Sequence, residues 1–243
     1  MTHPWMLDEV ALAGAEHLDP AYIRGYDAKA GQDPAAEIAL LRHHGLTPEA
    51  TVVDLGAGTG TFALAAAPVC RQVIAVDVSA PMLAALAQRA RAQGITTITT
   101  VRAGFVSYDH QGPPADVVYT RHALHHLPDP WKAVALARIA ALLRPGGLLY
   151  LRDLIFSCEP EALGGVIEAW LAGAATDPAL GWTRAELETH LRTEHSTFSW
   201  LLEAMLARVG FELVAVEHAP SQIYSTYLAV KRAPGEVAGE RRD

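Results

Sequence analysis

The stretch Val52-Val53-Asp54-Leu55-Gly56-Ala57-Gly58-Thr59-Gly60 sets the fold of this chain. A β-rich run, Thr51–Leu55, ends in three glycines, and the residues that follow, Phe62–Pro68, read as a helix. Glycine lets the backbone turn tightly and lets a ligand approach with no Cβ in the way. The N–H groups at the start of the next helix can receive a carboxylate or a phosphate. The spacing is G-x-G-x-G, which is not the dinucleotide fingerprint G-x-G-x-x-G. Asp54 stands two residues before the first glycine. An acid there suits an amino-acid-like ligand with an ammonium group, directly or through water, and repels a pyrophosphate.

Outward from this loop, strands and helices alternate from Thr47 to Leu154. Gln72–Asp77 reads as a second strand and Pro81–Gln93 as a helix, with Pro81 in its first turn and Gly94 past its end. Ile98–Ala103 and Asp116–Thr120 are the third and fourth strands. Trp131–Leu143 is a helix closed by Arg144-Pro145-Gly146-Gly147, and Leu148–Asp153 is a fifth strand. Such alternation implies parallel βαβ units and a sheet covered on both faces. Residues 156–209 break the rhythm with three helical stretches, Pro160–Ala175, Arg184–Leu191 and Phe198–Val209. Two strands, Phe211–Glu217 and Tyr224–Val230, follow, turning at Ala219-Pro220-Ser221. The chain thus divides into a helical cap (1–45), a core (46–155), a helical lid (156–210), a hairpin (211–232) and a polar tail (233–243).

Composition narrows the function. Of 243 residues 51% are hydrophobic, enough for a sizeable core. The 19 Lys and Arg against 27 Asp and Glu leave a net charge of −8, which argues against a broad phosphate-binding face and hence against a nucleic-acid partner. Cys70 and Cys158 are the only cysteines and form neither a disulfide framework nor a Cys-based zinc site. No apolar run is long enough to span a bilayer, and the N-terminus lacks the basic start of a signal peptide. A cytoplasmic monomer or homodimer is expected.

Asp77 ends the second strand, 17 residues past Gly60. An acid there can accept hydrogen bonds from both hydroxyls of a ribose; a helix N-cap or a surface acid is the plain alternative. With it, four segments resemble the class I S-adenosylmethionine-dependent methyltransferases, in particular the small-molecule group of menaquinone and ubiquinone biosynthesis. They are Val53–Gly60, Ala75-Val76-Asp77-Val78-Ser79-Ala80-Pro81-Met82-Leu83, Asp116–Leu127 with its Arg121-His122-Ala123-Leu124-His125-His126, and Leu142–Gly147. The resemblance covers about residues 47–154. It implies a Rossmann-like α/β fold: a seven-stranded, mostly parallel sheet in the order 3-2-1-4-5-7-6, its last strand antiparallel, with the lid between strands 5 and 6.

The same resemblance implies S-adenosylmethionine as cofactor and a small-molecule acceptor. Asp54, Gly56, Ala57 and Gly58 would then lie at the methionine part, Asp77 at the ribose, and Val78 and Met82 on the adenine. Gly104, Phe105 and Val106 would close the other adenine face, and Arg121 would border the cofactor. Many relatives carry Gly-Asp after the third strand, the acid receiving the adenine amino group; this chain has Gly104-Phe105-Val106. Phe105 can stack on adenine but cannot accept that hydrogen bond, so backbone groups or Asp109 would take the role. Tyr26, before Asp27, matches a cap tyrosine that reaches the cofactor in relatives; a core tyrosine is the alternative.

Methyl transfer to a hydroxyl or ammonium needs a base. The candidates are His122, near His125 and His126 after the fourth strand; Asp153, at the end of the fifth, where a carboxylate faces the mouth of a cleft; and His195, in Arg192–Phe198. Each has a bland reading as a loop brace, a strand cap or local structure. His122 and His126 are four apart, but Leu127-Pro128 ends any helix at once, and no metal is expected. The lid carries eight acids against three arginines, which favours a cationic or neutral acceptor or is simply a solvated helix face. A nicotinamide-dependent oxidoreductase and a non-catalytic binding module are the rival readings.

Overall fold

The computed structural model describes residues 5–19, 23 and 33–233; Tyr26 and the tail from residue 234 lie outside them. Eight strands form the sheet: β1 (Thr51–Leu55), β2 (Gln72–Asp77), β3 (Ile98–Arg102), β4 (Ala115–Arg121), β5 (Leu143–Phe156), β6 (Thr197–Phe198), β7 (Phe211–His218) and β8 (Tyr224–Lys231). Their order is β3-β2-β1-β4-β5-β8-β7, with the two-residue β6 paired to the end of β5. Setting β6 aside, this is the expected 3-2-1-4-5-7-6. Only β8 runs against its neighbours. The α-helices whose two ends lie among the described residues are α1 (Glu9–Leu12), α2 (Ala35–His43), α3 (Thr61–Ala66), α4 (Ala80–Ala92), α5 (Asp129–Leu142), α6 (Leu163–Ala172), α7 (Arg184–Thr193) and α8 (Ser199–Arg208).

The central strands are apolar on both sides, so each face buries its own core. On one face Val53, Leu55, Val118 and Leu149 pack against Leu136 and Ile139 of α5 and Leu202 and Leu206 of α8. On the other, Val52, Ala75 and Val117 meet Leu41 of α2, Phe62 of α3 and Leu86 of α4. A ring stack crosses that second face: Phe62 lies flat on Tyr119 with centroids 3.5 Å apart, and Tyr119 on Tyr150 at 5.0 Å. Alternation along β1 puts Asp54 on this same face, where α3 begins.

Two details depart from the sequence reading. The Arg144-Pro145-Gly146-Gly147 segment is not a turn ahead of the fifth strand but a bulge inside it: Ala115 of β4 pairs with Leu143 and Val117 with Leu148. The chain gains extra residues there without leaving the sheet. Gly147 is obligatory at that point, because a Cβ would stand 2.9 Å from the Arg144 carbonyl oxygen. The second departure is β6, whose two residues carry too little pattern to be read as a strand.

A third, smaller cluster forms where residues 156–210 meet the end of β5 and the start of β8: Leu154, Phe156 and Ile223 pack against Trp170, Leu191, Phe198 and Tyr224. A capping box, Thr183 with Glu186, starts α7. Among the described residues no helix is long and apolar enough to cross a membrane.

Candidate active site

The sheet order reverses between β1 and β4, and a cleft of about 210 Å³ opens beyond the strand ends at that point. Open α/β sheets bind ligands at such a switch point. The glycine loop forms its floor. Gly56 has φ 75° and a Cβ there would stand 2.3 Å from that of Ala123. Gly58 has φ 54°, lines the cleft and has open space where a Cβ would project. The N–H groups of Gly56 and Ala57 both donate to the Val76 carbonyl, at 2.9 and 3.0 Å, pinning the loop to β2.

Two carboxylates face this floor. Asp77 accepts from the N–H of Gly58 and of Ser79, each at 2.8 Å, so its orientation is set before any ligand arrives. It is not the helix cap; Ser79 caps α4 by accepting from the Met82 N–H at 3.2 Å. Asp54 is 2% exposed, and its Oδ2 has no hydrogen-bond partner. Burial first, then the charge of Asp77, pushes the Asp54 carboxyl well above the usual range. Burial raises Asp77 too, against the pull of its two N–H donors. A buried carboxylate left with an empty lone pair is costly, and a cation or a hydroxyl relieves it.

Val78, Met82, Ala103, Gly104 and Phe105 line the far end of the cleft. Val106 does not; its N–H donates to Glu9 Oε1 at 2.9 Å, while the Ser107 N–H and hydroxyl donate to Glu9 Oε2 at 2.9 and 2.7 Å. The acid at this loop is therefore Glu9, from α1. Asp109 lies outside the cleft and accepts from Gln111. Sequence reasoning missed Glu9 because it sits 97 residues from its partner. Its only local trace is the acid pair Asp8-Glu9 opening a short helix.

At the end of β4, Arg121 lines the cleft and pairs with Glu37 of α2 at 2.5 Å. His122 follows in the left-handed conformation, φ 51°, which a non-glycine residue adopts only under local compulsion. Its N–H donates to the Arg152 carbonyl at 2.8 Å, and its buried Nδ1 has no partner. Burial brings its imidazole down to about 3, so the ring is neutral.

A family model for a methyltransferase domain matches residues 52–147. An uncharacterized methyltransferase of Geobacillus kaustophilus is 28% identical over 160 residues, covering 66% of this chain and 68% of that protein. Magnesium protoporphyrin IX methyltransferase of Synechocystis, solved with S-adenosylhomocysteine bound, superposes with a TM-score of 0.65 at 16% identity, over 92% of this chain and all of that one. The [4+2]-cyclase SpnF superposes at 0.61 and 16%, over 81% of each chain. Residues 52–147 thus match a methyltransferase domain, and the fold is that of solved methyltransferases.

The other expected bases lie away from the cleft. Asp153 is not at its mouth. It is 2% exposed and accepts from the His125 ring at 2.5 Å, the His125 N–H at 3.1 Å and the Leu154 N–H at 2.7 Å. Burial alone would raise this carboxyl, but His125 outweighs it and holds the group far below the usual range. The side chain faces the sheet surface opposite Arg152, where the α5 layer covers it. His195 also stays outside the cleft. Its N–H donates to the His125 carbonyl at 2.8 Å, and its own carbonyl takes the buried Lys132 ammonium.

His126 does line the cleft, and its Nδ1 meets Glu194 at the end of α7 at 2.7 Å. Burial pulls this imidazole down, yet Glu194 more than offsets it and the net shift is upward. Atoms of His125, His126 and Glu194 lie within 4.8 Å of one another, a spacing that can hold a metal ion. Each of the three is already hydrogen-bonded, to Asp153 or within the group. As a set they join the end of α7 to the segment after β4 and to β5.

Proposed function

We propose that this methyltransferase moves a methyl group from S-adenosylmethionine to a small organic acceptor by in-line displacement. One observation carries the reading: Asp54 Oδ2, buried and unpartnered, shares a glycine-floored cleft with an Asp77 already aimed by two N–H groups. The shared fold with a cyclase shows that architecture alone does not select a reaction. The cleft chemistry is what fits. Asp54 suits the ammonium of an aminoacyl group, and Gly56, Ala57 and Gly58 leave room for its backbone-like atoms. Asp77 has acceptor capacity for ribose hydroxyls. Val78, Met82 and Phe105 give apolar cover to an adenine, with Gly104 and the Glu9 carboxylate at its edge. When bound, the cofactor supplies a methyl activated on a sulfonium.

The chain's own work is alignment, which accounts for much of the rate in a single displacement. Arg121 borders the cleft, its direction fixed by Glu37. The neutral His122 ring can accept a hydrogen bond from an acceptor hydroxyl, and the lid, residues 156–210, covers the acceptor and excludes water.

Calorimetric titration with S-adenosylmethionine and, separately, NADH tests the reading. Saturable binding of the first and none of the second is the expected result. Absence of S-adenosylmethionine binding at millimolar concentration overturns it.

A further inference from the structure

We propose that Arg152 anchors the methyl acceptor, and that the acceptor therefore carries a carboxylate. This rests on the methyl-transfer reading above and assigns the substrate class of that same site. In the parallel register of β4 and β5, Arg152 is the partner of Arg121. It stands one strand spacing, about 4.8 Å, beyond the residue that lines the cofactor cleft, and on the same face of the sheet.

The two arginines differ in their charge balance. Arg121 is neutralised by Glu37. Arg152 has no carboxylate partner among the described residues; its Nε, like that of Arg121, is buried with no hydrogen bond. Its neighbour in the chain, Asp153, projects to the opposite face and is committed to His125. Five of the eight acids in residues 156–210 are committed as well: Glu168 and Glu188 to Arg184, Glu186 to the α7 cap, Glu194 to His126 and Glu203 to Tyr227.

Around Arg152 the structure places rings. Its charge acts on His122, Tyr150 and Tyr224. His122 meets Tyr224 edge-on at 5.6 Å, and Trp170 of α6 meets Tyr224 at 6.2 Å. A partly buried guanidinium with an unmet donor, in the neighbourhood of aromatic rings, recognises a planar anion bonded in the fork. The neutral His122 ring, adjacent and held in a strained backbone, lies between this anchor and the cofactor cleft.

The test titrates the wild-type chain, loaded with S-adenosylhomocysteine, with benzoate, benzyl alcohol, benzylamine and inorganic phosphate. Benzoate is expected to bind saturably and the other three at least about tenfold more weakly, the factor a charge-assisted pair provides. Arg152→Gln and Arg152→Lys are titrated in parallel. Arg152→Gln should abolish the benzoate preference while S-adenosylhomocysteine affinity stays within roughly twofold, because no hydrogen bond to the cofactor cleft is removed. No benzoate binding, equal binding of the alcohol or amine, or a preference that survives in Arg152→Gln overturns the proposal. Tighter binding of phosphate than of benzoate overturns the carboxylate assignment. Should S-adenosylhomocysteine itself not bind, the cofactor reading fails separately, and the same four titrations on the free chain still judge the anchor. If Arg152→Gln does not fold, the wild-type preference and Arg152→Lys, which keeps charge but loses the fork, decide it.

Discussion

Four buried or half-buried carboxylates divide this molecule into two regions of opposite character. In the cofactor cleft, Asp54 and Asp77 are pushed above the ordinary carboxylate range by burial, and in Asp54 also by its neighbour's charge. At the joint between core and lid, Asp153 and Glu194 are held below it by histidines, in spite of burial. The first pair has acceptor capacity left over, and the second has used it on the protein itself. Residue type does not distinguish them, since all four are acids near the ends of strands or helices. The difference lies in whether folding supplies the counter-charge, and a site in which it does not is where a ligand is required.

The largest expected effect falls on the saturated side. Asp153→Ala leaves the His125 ring and two backbone N–H groups without an acceptor in the interior, a loss of about 3–5 kcal/mol in unfolding free energy by urea titration. Cofactor affinity in the fraction that folds should hardly change. An Asp153→Ala protein of wild-type stability that no longer binds S-adenosylmethionine would merge the two regions and end the comparison. Next is Asp77→Ala, with the opposite signature. S-adenosylmethionine affinity by calorimetry should fall roughly tenfold or more, the loss of bonds to two hydroxyls. Stability without ligand should fall less than in Asp153→Ala, because the relief of a buried charge offsets part of the loss of the Gly58 and Ser79 N–H bonds.

Asp54→Asn sharpens the contrast further. An acid whose folded pKa is raised contributes stability below its unfolded value, near 3.8, and loses it as pH rises through the folded value. At neutral pH the charge that burial disfavours therefore makes Asp54 work against the ligand-free fold. Replacing it with the neutral amide should raise the ligand-free melting temperature at pH 7, by the equivalent of about 1 kcal/mol, and weaken S-adenosylmethionine binding. At pH 4 the stability gain should shrink. A gain that is the same at both pH values would show that charge is not its source.

Much of this architecture was legible in the residues. The glycine run with its acid, the Asp77 strand end and the alternating periods gave the parallel strand-helix units, because each is a local pattern that the backbone obeys locally; the sheet order came from the family resemblance those segments carry. What could not be read was partnership across long separations. Glu9 reaches the loop after β3 from 97 positions away, and Glu37 reaches Arg121 from 84. Asp153 carried a correct strand position and a misleading face. Its distance along the strand marked the cleft, but a period of two turned it toward His125 and turned Arg152 the other way. The Pro-Gly-Gly segment looked like a terminator and became a bulge, since the neighbouring strand, not the local sequence, decides whether pairing resumes.

The smallest effect, at His126 and Glu194, is also the most specific to the lid joint. The His126 imidazole is raised above its ordinary 6.5, so its contribution is complete below that value and disappears as pH rises through the folded one. The Glu194 carboxyl is lowered below its ordinary 4.5, so its contribution is complete above that value and disappears as pH falls through the folded one. The ion pair therefore operates in a window bounded by the two, and only there should His126→Gln cost stability, by about 1 kcal/mol for a single partly buried pair. Melting temperatures of wild type and variant measured from pH 3.5 to 8.5 should differ most between about pH 4.5 and 6.5 and converge only as pH passes the folded value of Glu194 below that range and of His126 above it. Because His126 also lines the cleft, S-adenosylmethionine binding adds its own charge beside the pair, and the upper edge of the window should move when the ligand is present. A window that ignores the ligand would mean that the joint and the cleft, though they share a residue, are electrostatically separate.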